Sequence, residues 1–373
     1  MSVFVFGHKN PDTDSVMSCI TLSNLKRNLG VEAIPKVLGP IGREAQFALE
    51  KAGVEAPEML GDVKIQVKDL NYQKSLSITP DVSILEAYRL MNENKLRILP
   101  VTAENGALKG IVTMKDIAME LISGDFYKLN TSLKNIASGL NGTILNGDEN
   151  LIVDGNILVV ALFYKTVADL IDEEHVILVG DRYDVIEHAI ETRVKLLVVT
   201  GDVDLPDKYI EMAQDNNVPI VALPTDTYTT SRLIQQCNTV SRIMIKENIV
   251  KFEDDDYLDE VKDDMVQTNF RSYPVVDNHN RFLGFLSRKH LLHPEKKKVI
   301  LVDHNEYKQS ADGIEEAEIL EIVDHHKIGG ISTAAPISFM NMTVGSTCTI
   351  VHRMYNNMEL KLTSQWLLLW CLV

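Results

Sequence analysis

Several features that would narrow the function are missing from this 373-residue sequence. Its four cysteines include no C-x-x-C pair, so neither a disulfide framework nor a thiolate zinc site is indicated. The N-terminus has no basic segment followed by a long apolar run, the pattern of a signal peptide. The longest apolar run, WLLLWCLV, is too short to span a bilayer. We therefore expect a soluble, cytoplasmic protein with no membrane partner.

Acidic residues outnumber basic residues, with 53 Asp and Glu against 37 Lys and Arg, and the formal net charge is −16. Proteins that grip nucleic acid usually show a basic patch, so we expect no nucleic-acid partner. A small phosphate compound is still an acceptable substrate, since metal ions can supply local positive charge. The length predicts two or three domains.

The two ends of the chain share one pattern, in which apolar strands alternate with helices. In residues 1–63, the strand VFVFG and the segment VEAIPKVLG are each followed by a stretch with helical spacing. After residue 295, the runs KVILVDHNE and AEILEIVDHH repeat the pattern of an apolar strand, here followed by polar residues. Such alternation is typical of a parallel α/β sheet. We expect one discontinuous domain built from residues 1–63 and 296–373.

The region between these ends contains an internal repeat. Residues 64–122 and 246–295 share an order of turn, helix, strand, turn, strand and helix, and LPV in the first copy matches YPV in the second. Two copies predict a pseudo-symmetric pair, since one copy alone would leave an apolar face uncovered. Residues 123–245 contain the buried-type strands VILVG, LLVVTGD and VPIVALPTDT, which predict a separate small α/β domain.

Three of the predicted strands end in side chains that can bind metal. The candidates are His8, Asp12 and Asp14 after the first strand, Asp303 with His304 beside it after VILV, and Asp324, His325 and His326 after LEIV. Ligands bind beyond the carboxyl ends of parallel strands, so these groups should meet at one edge. Carboxylates collected in this way repel one another unless cations are present.

The donor types limit which metal these groups suit. Carboxylates and imidazoles without thiolates favour manganese, magnesium or cobalt over structural zinc. Two ions that share a carboxylate are a usual arrangement for hydrolysing a phosphoryl bond. A single Asp at a strand end is often only a turn former or a helix cap, and Asp14 can be explained in that way. Three such clusters at equivalent strand ends are much harder to explain by chance.

The motifs GHKNPDTDS, VDHNE and VDHHKIGG resemble the DHH phosphoesterase superfamily, and specifically the family II inorganic pyrophosphatases. The repeated unit resembles a pair of CBS modules, and the block between the copies is similar to a DRTGG domain, although those five letters do not occur. The resemblance implies an α/β fold in which a parallel-sheet DHH domain is interrupted by an α+β CBS pair and a small α/β domain.

The resemblance also implies a role for each strand-end residue. His8 and Asp12 would hold the first metal, Asp14 and His325 the second, and Asp303 would bridge both. His326 would face pyrophosphate and help to protonate the leaving phosphate. The cofactors implied are two divalent cations, Mn²⁺ or Co²⁺, with Mg²⁺ also acceptable. Gly345–Thr349 offers backbone amides that suit either a phosphate cradle or a plain helix cap.

In the first CBS-like repeat, Thr113 and Asp116 match the element that binds a nucleotide's ribose in CBS modules. Arg97, at the mouth of this repeat, faces either a nucleotide phosphate or solvent. The expected regulators are AMP, ADP or a diadenosine polyphosphate. By analogy with other CBS pairs, we also expect a homodimer that forms through these modules.

The second repeat departs from the ribose-binding pattern, because Ser287 is followed by His290 rather than by Asp. Either this nucleotide site is weaker, or Arg288 binds a phosphate there. Tyr273 at the mouth of the repeat is explained equally well as a ring that stacks on adenine and as a core tyrosine.

The family pattern is incomplete at the C-terminus, where LTSQWLLLWCLV replaces a helix that carries a metal-binding Asp. The second domain of the family (DHHA2), with its Lys and Arg-Lys clamp on pyrophosphate, is absent from the sequence. We therefore expect a truncated chain with feeble catalysis. The alternatives are a nucleotide-binding regulatory module without activity, or another DHH phosphoesterase.

Overall fold

The computed structural model describes residues 2–160, 168–268 and 270–360. The strands within these ranges are β1 (Val3–Phe6), β2 (Ala33–Val37), β3 (Glu58–Met59), β4 (Ile98–Thr102), β5 (Leu108–Thr113), β6 (Lys128–Ser132), β7 (Thr143–Asn146), β8 (Ile152–Val159), β9 (His175–Val179), β10 (Leu196–Thr200), β11 (Ile220–Leu223), β12 (Phe252–Glu253), β13 (Tyr273–Val276), β14 (Phe282–Leu286), β15 (Lys298–Val302), β16 (Glu318–Asp324) and β17 (Ser338–Asn341). The α-helices are α1 (Thr13–Asn28), α2 (Arg43–Ala52), α3 (Ile84–Glu93), α4 (Met114–Ser123), α5 (Leu133–Leu140), α6 (Tyr183–Glu191), α7 (Asp207–Asn216), α8 (Thr227–Leu233), α9 (Leu258–Gln267) and α10 (Thr347–Asn357).

The chain divides into two compact units. The first comprises Met1–Tyr72, Phe252–Ser272 and Leu286–Val373, and the second comprises Gln73–Lys251 and Tyr273–Phe285. Segments of the second predicted repeat therefore contribute to both units. None of the described helices is long and apolar enough to cross a membrane.

The first unit contains a six-stranded sheet in the order β17-β16-β15-β1-β2-β3. All its described pairings are parallel. In the register, Val5 on β1 lies opposite Ile300 on β15 and Pro35 on β2. Strands from both ends of the chain therefore form one sheet, as the repeated strand-and-ligand pattern predicts.

One face of this sheet is covered by α1, α2 and α10, which share a single apolar core. Helix α1 begins at Asp12, whose carboxylate accepts a hydrogen bond from the Ser15 amide at 2.9 Å. It ends at Leu29, before Gly30 turns the chain at φ 84°. The cap and the buried face of α1 fix the start of this helix relative to β1. The short connection that carries His8 and Asp12 is thereby held at both ends.

The second unit contains another six-stranded sheet, in the order β6-β8-β9-β10-β11-β7. Its three central parallel strands, β9, β10 and β11, are the three buried runs that the sequence predicts. The outer strands β6 and β7 and the longer β8 are not predicted. In β8, IVDGNILV alternates buried with exposed residues and includes Asp, Gly and Asn, which weakens the strand signal.

The first repeat has the predicted order of elements, with α3, the antiparallel pair β4 and β5, and then α4. In the second repeat, the helix expected after β14 is only one 3₁₀ turn, Arg288–Leu291. Such a short turn does not present the face of a full helix.

Candidate metal centre

The candidate metal ligands follow three neighbouring parallel strands, β16, β15 and β1. The carboxyl ends of these strands lie at one edge of the sheet. His8, Asp12 and Asp14 follow β1, Asp303 follows β15, and Asp324 ends β16 just before His325 and His326. The six residues predicted as metal ligands or catalytic groups are thereby brought to this edge.

Asp303 lies at the middle of the site and is only 1 % exposed. His8 Nε2 is 3.4 Å from its Oδ2 atom, and His325 Nε2 is 3.5 Å from its Oδ1 atom. Among the described residues, Oδ2 of Asp303 has no hydrogen-bond partner. A buried carboxylate oxygen without a donor is costly, and a cation would satisfy it. The site therefore fits a metal.

Asp303 belongs to both groups of side chains that can hold an ion. In each group, the donor atoms lie within 4.8 Å of one another. The groups are His8 with Asp12 and Asp303, and Asp303 with His325 and His326. Asp14 lies beside the second group, since its Oδ2 atom is 3.7 Å from His325 Nε2. One buried carboxylate thus stands between two sets of donors.

The charges in the first group are strongly coupled. The nearby carboxylate of Asp12, followed by that of Asp303, raises the pKa of His8 to about 10. The imidazole of His8 in turn holds the pKa of Asp12 below its ordinary value. In the second group, burial and then the charge of Asp303 raise the pKa of Asp14 to about 6. Without a cation, a proton on His8 supplies the positive charge that these carboxylates need.

The His325 ring is oriented by its other nitrogen. Nδ1 of His325 lies 3.0 Å from the carbonyl oxygen of Val344, to which it donates in the tautomer that leaves Nε2 unprotonated. A ring oriented in this way presents Nε2 to Asp14 and Asp303 as a metal donor. Backbone carbonyls commonly hold metal-binding histidines in this manner.

Asp324, which the sequence places among the metal-competent side chains without a role, and Asn305, which it does not single out, both lie in the site. The buried Oδ1 atom of Asp324 lies 2.9 Å from Nδ1 of His326 and accepts hydrogen bonds from the amides of His325 and His326. Asn305 donates from its side-chain amide to the other oxygen of Asp324. Burial alone would lower the pKa of His326, but the hydrogen bond and charge of Asp324, with the charge of Asp303, raise it.

The start of α10 decides between the alternatives that the sequence left open for Gly345–Thr349 and for Asp14. Ser346 caps this helix by accepting from the Thr349 amide, so the Gly345–Thr349 stretch is a helix cap. The amides of Thr347 and Cys348 donate to the two oxygens of Asp14, at 2.6 and 3.0 Å. Asp14 therefore does not cap α1, because Asp12 does.

His304, beside the shared carboxylate, is buried. Its Nδ1 atom lies 2.9 Å from the carbonyl oxygen of Val302, and its Nε2 atom has no hydrogen-bond partner among the described residues. Burial lowers the pKa of His304 to about 4, so the ring is neutral at ordinary pH. Its ring stacks on Phe6 at a centroid distance of 6.2 Å.

In the first repeat, the predicted ribose-binding pair forms a capping box at the start of α4. The Thr113 hydroxyl donates to Asp116 Oδ2 at 2.6 Å, and the Thr113 amide donates to the same oxygen at 2.8 Å. Thr113 and Arg97 both line an open hollow of about 610 Å³, and Arg97 is exposed. The spacing of Thr113 and Asp116 therefore also serves the helix itself.

Two expectations for the second repeat are corrected. Tyr273 is 0 % exposed, so it is a core tyrosine and offers no open face to adenine. Arg288 donates from Nη2 to the carbonyl oxygens of Met265 and Thr268, at 2.6 and 2.7 Å, and thus binds the C-terminal end of α9 instead of an open site. Ser287 and His290 form a capping box around the short turn that follows β14.

Comparison with protein-family models identifies the two kinds of inserted domain. The CBS domain model matches residues 67–123 and 240–294, and the DRTGG domain model matches residues 135–237. A crystal structure of the CBS and DRTGG domains of the regulatory region of Clostridium perfringens pyrophosphatase, complexed with the activator diadenosine tetraphosphate, is similar at 32 % identity. It covers 60 % of this chain and 100 % of that chain, with a TM-score of 0.57. The chain is thus a CBS and DRTGG protein with a parallel-sheet domain.

Two curated relatives match nearly the whole chain. The cobalt-dependent inorganic pyrophosphatase of Clostridium perfringens (strain 13 / Type A) is 37 % identical over 359 residues, which are 95 % of this chain. The probable manganese-dependent inorganic pyrophosphatase of Thermotoga maritima is 32 % identical over 366 residues, which are 94 % of this chain. This chain spans 65 % of the length of each of these curated relatives. Its similarity is thus to most of the length of two proteins that are named cobalt-dependent and probable manganese-dependent inorganic pyrophosphatases.

Proposed function

We propose that this chain carries the metal-binding domain of an inorganic pyrophosphatase, which hydrolyses pyrophosphate to two phosphates. The observation that carries the proposal is the position of Asp303, one buried carboxylate shared by two sets of metal donors. Two cations on a shared ligand are the usual arrangement for cleaving a phosphoryl bond. The names of both relatives support pyrophosphate as the substrate.

The proposed cofactors are two divalent cations, manganese or cobalt, with magnesium also acceptable to the donors. His8 and Asp12 would hold one ion and Asp14 and His325 the other, with Asp303 shared. When bound, the cations stabilise negative charge on the phosphoryl oxygens and lower the pKa of water. Carboxylate and imidazole donors without thiolates fit these metals.

His326 is the proposed proton donor to the leaving phosphate. Its ring is half exposed, and Nδ1 is held by Asp324 at 2.9 Å. A buried carboxylate that orients an imidazole also stabilises its protonated form, which is the form that donates a proton. The raised pKa of His326 is consistent with this role.

We further propose that AMP, ADP or a diadenosine polyphosphate regulates the chain through its CBS pair. The related regulatory region was crystallised with diadenosine tetraphosphate, described as an activator of that protein. In this chain, Arg97 and Thr113 line an open hollow that has room for a nucleotide, and Asp116 is bonded to Thr113. Ribose hydroxyls would compete with the Thr113 hydroxyl for the Asp116 carboxylate.

The proposed domain organisation is a discontinuous catalytic domain at residues 1–63 and 296–373, CBS modules at 64–122 and 246–295, and a DRTGG-like domain at 123–245. We propose a cytoplasmic homodimer formed through the CBS modules. Helix α4 supports this, because Met119, Leu121 and Ile122 are exposed on it and Ile122 is 72 % exposed. Neighbouring apolar side chains of this kind often mark a protein interface.

Phosphate release from pyrophosphate by the full chain with Mn²⁺ tests the function, together with calorimetry of Mn²⁺ binding. Asp303→Asn should abolish release and weaken the binding of both ions. The exposed His293 provides a control, and His293→Ala should change neither. Absence of release from a chain that still binds Mn²⁺ and AMP would favour the nucleotide-binding module. Release from a phosphodiester but not from pyrophosphate would favour another DHH phosphoesterase.

A further inference from the structure

A second charged hollow lies at the other end of the same sheet strands. It has a volume of about 510 Å³, and Ser2, Phe4 and Lys298 line it at the starts of β1 and β15. His8 and Asp12 follow the carboxyl end of β1. The hollow and the candidate metal centre are therefore separated by the length of a strand, and a ligand in one does not occupy the other.

Four lysines and three acidic residues line this hollow. Lys68, Lys296 and Lys298 line it, and none of their ammonium groups has a hydrogen bond or ion pair with another residue in the described part of the chain. The whole chain carries a formal charge of −16, so these lysines form a locally positive surface on an acidic protein. Like charges held together repel, and an anion among them would relieve the repulsion.

The acidic residues that line the hollow are Asp62, Asp69 and Glu295, and the first two are already engaged by its wall. Asp62 accepts hydrogen bonds from the Lys64 amide at 2.9 Å and from the Tyr257 hydroxyl at 2.6 Å. Asp69 accepts from the Gln66 amide at 2.9 Å. These bonds stabilise the two carboxylates, so they do not compete fully for the free lysines. Against Glu295, the remaining acid, the three free lysines leave positive charge in excess where a ligand would sit.

The wall is held in place by a further lysine. Nζ of Lys297 donates to the carbonyl oxygen of Lys64 at 2.7 Å and lies 3.8 Å from Asp69 Oδ2. This ammonium joins the segment that leaves the sheet after β3 to the segment that returns before β15. The hollow is therefore bounded by segments tied to each other, and little ordering is needed for a ligand to bind.

We propose that this hollow is a second anion site, which takes a phosphate-bearing anion through Lys68, Lys296 and Lys298. Ammonium groups act as point charges that suit phosphate oxygens, and a hollow of 510 Å³ admits pyrophosphate as well as orthophosphate. Lys68 and Lys296 lie on the two segments that connect the sheet with the inserted repeats. Occupancy of the site would cross-link these segments, so it offers a route for inorganic anions to influence the inserted region.

Calorimetry of the full chain in EDTA tests the proposal, because the candidate metal centre then holds no cation. The probes are sodium pyrophosphate, orthophosphate and AMP. We expect saturable pyrophosphate binding that weakens at least tenfold in the double variant Lys68→Gln, Lys296→Gln. Lys109→Gln with Lys134→Gln removes the same charge from exposed lysines elsewhere and should leave the affinity unchanged. If AMP binding instead weakens tenfold in the first variant, the phosphate comes from a nucleotide.

No saturable binding of any of these anions in EDTA, or equal binding by the two double variants, would overturn the proposal. A second measurement needs no variant. Acetylation of the wild-type chain, followed by mass spectrometry, should show that pyrophosphate slows the modification of Lys68 and Lys296 at least threefold. Lys109 should react at its original rate. Equal rates at all three lysines with and without pyrophosphate would also refute the site.

Discussion

Thr347 donates a hydrogen bond from its side-chain hydroxyl to Asp303 Oδ1 at 2.9 Å. Its backbone amide donates to Asp14 Oδ2. Thr347 is fully buried at the first turn of α10. One residue thus holds two of the proposed metal-binding carboxylates from behind, although it binds no metal itself.

Replacement of this hydroxyl should weaken metal binding. Thr347→Val keeps the branched shape and the backbone amide but removes the donor to Asp303. Loss of such a partner typically reduces metal affinity by about 10–100-fold. Mn²⁺ calorimetry measures the effect, with the exposed Thr343→Val as the control. An unchanged affinity in Thr347→Val would show that the hydroxyl only supports the fold.

Metal affinity should rise with pH. His8 has a pKa of about 10 because the carboxylates of Asp12 and Asp303 lie beside its ring, so it is protonated at pH 7 in the metal-free chain. A metal must displace this proton, and the competition fades as the pH approaches 10. Mn²⁺ titrations at pH 7, 8 and 9 should give increasing affinity. Buffers of different ionisation enthalpy should reveal about one released proton at pH 7.

The His8→Gln variant lacks the competing proton and is the control for this dependence. Its affinity should be lower at every pH and should change less between pH 7 and pH 9. If the wild-type affinity is flat across this range, His8 is not a ligand or its proton is not displaced.

Asn305→Ala should destabilise the first unit. The Asn305 side chain donates to the buried Asp324 carboxylate and accepts from the Gly329 amide. Removing a buried hydrogen-bonding partner costs about 1–3 kcal/mol for each group left unpaired. Urea unfolding followed by circular dichroism measures the loss. Asn357→Ala, at an exposed position near the end of α10, should change the unfolding midpoint little.

Thr113→Ala should affect both stability and nucleotide binding. The capping box with Asp116 is lost, at a cost of about 1 kcal/mol to the first repeat. AMP calorimetry should show weaker binding if this hydroxyl also contacts the nucleotide. Thr113→Ser retains the hydroxyl and should restore the stability and the AMP affinity together. Unchanged AMP binding in Thr113→Ala would leave Thr113 with only its capping role.

The central strands and their ligands could be predicted from local pattern. The apolar runs of β1 and β15 are continuous, and β16 is apolar apart from its glutamates and its final Asp324, because parallel strands are buried on both faces. Each run ends in a polar residue, and the geometry of parallel sheets then brings His8, Asp303 and His325 together. No distant contact has to be known for this inference.

Other features depend on contacts between distant parts of the chain. The bond from the Thr347 amide to Asp14 spans 333 positions, and that from Asn305 to Asp324 spans 19. Tyr273 has the same neighbours in sequence whether it is buried or exposed, so only the packed structure decides between the two. The expected weakness of catalysis rests on the apolar tail of residues 362–373, which lies outside the described residues.

The pairing of β1 with β15 has a consequence for synthesis on the ribosome. Val3–Phe6 leaves the ribosome about 290 residues before Lys298–Val302. At a synthesis rate of about 5–20 residues per second, one edge of β1 remains unpaired for roughly 15–60 s before β15 is made. The whole inserted region is made in that interval, and the link from Lys297 to Lys64 shows that its two ends finish side by side. If the insertion folds during translation, β15 is made close to β1, and the two strands can pair more quickly.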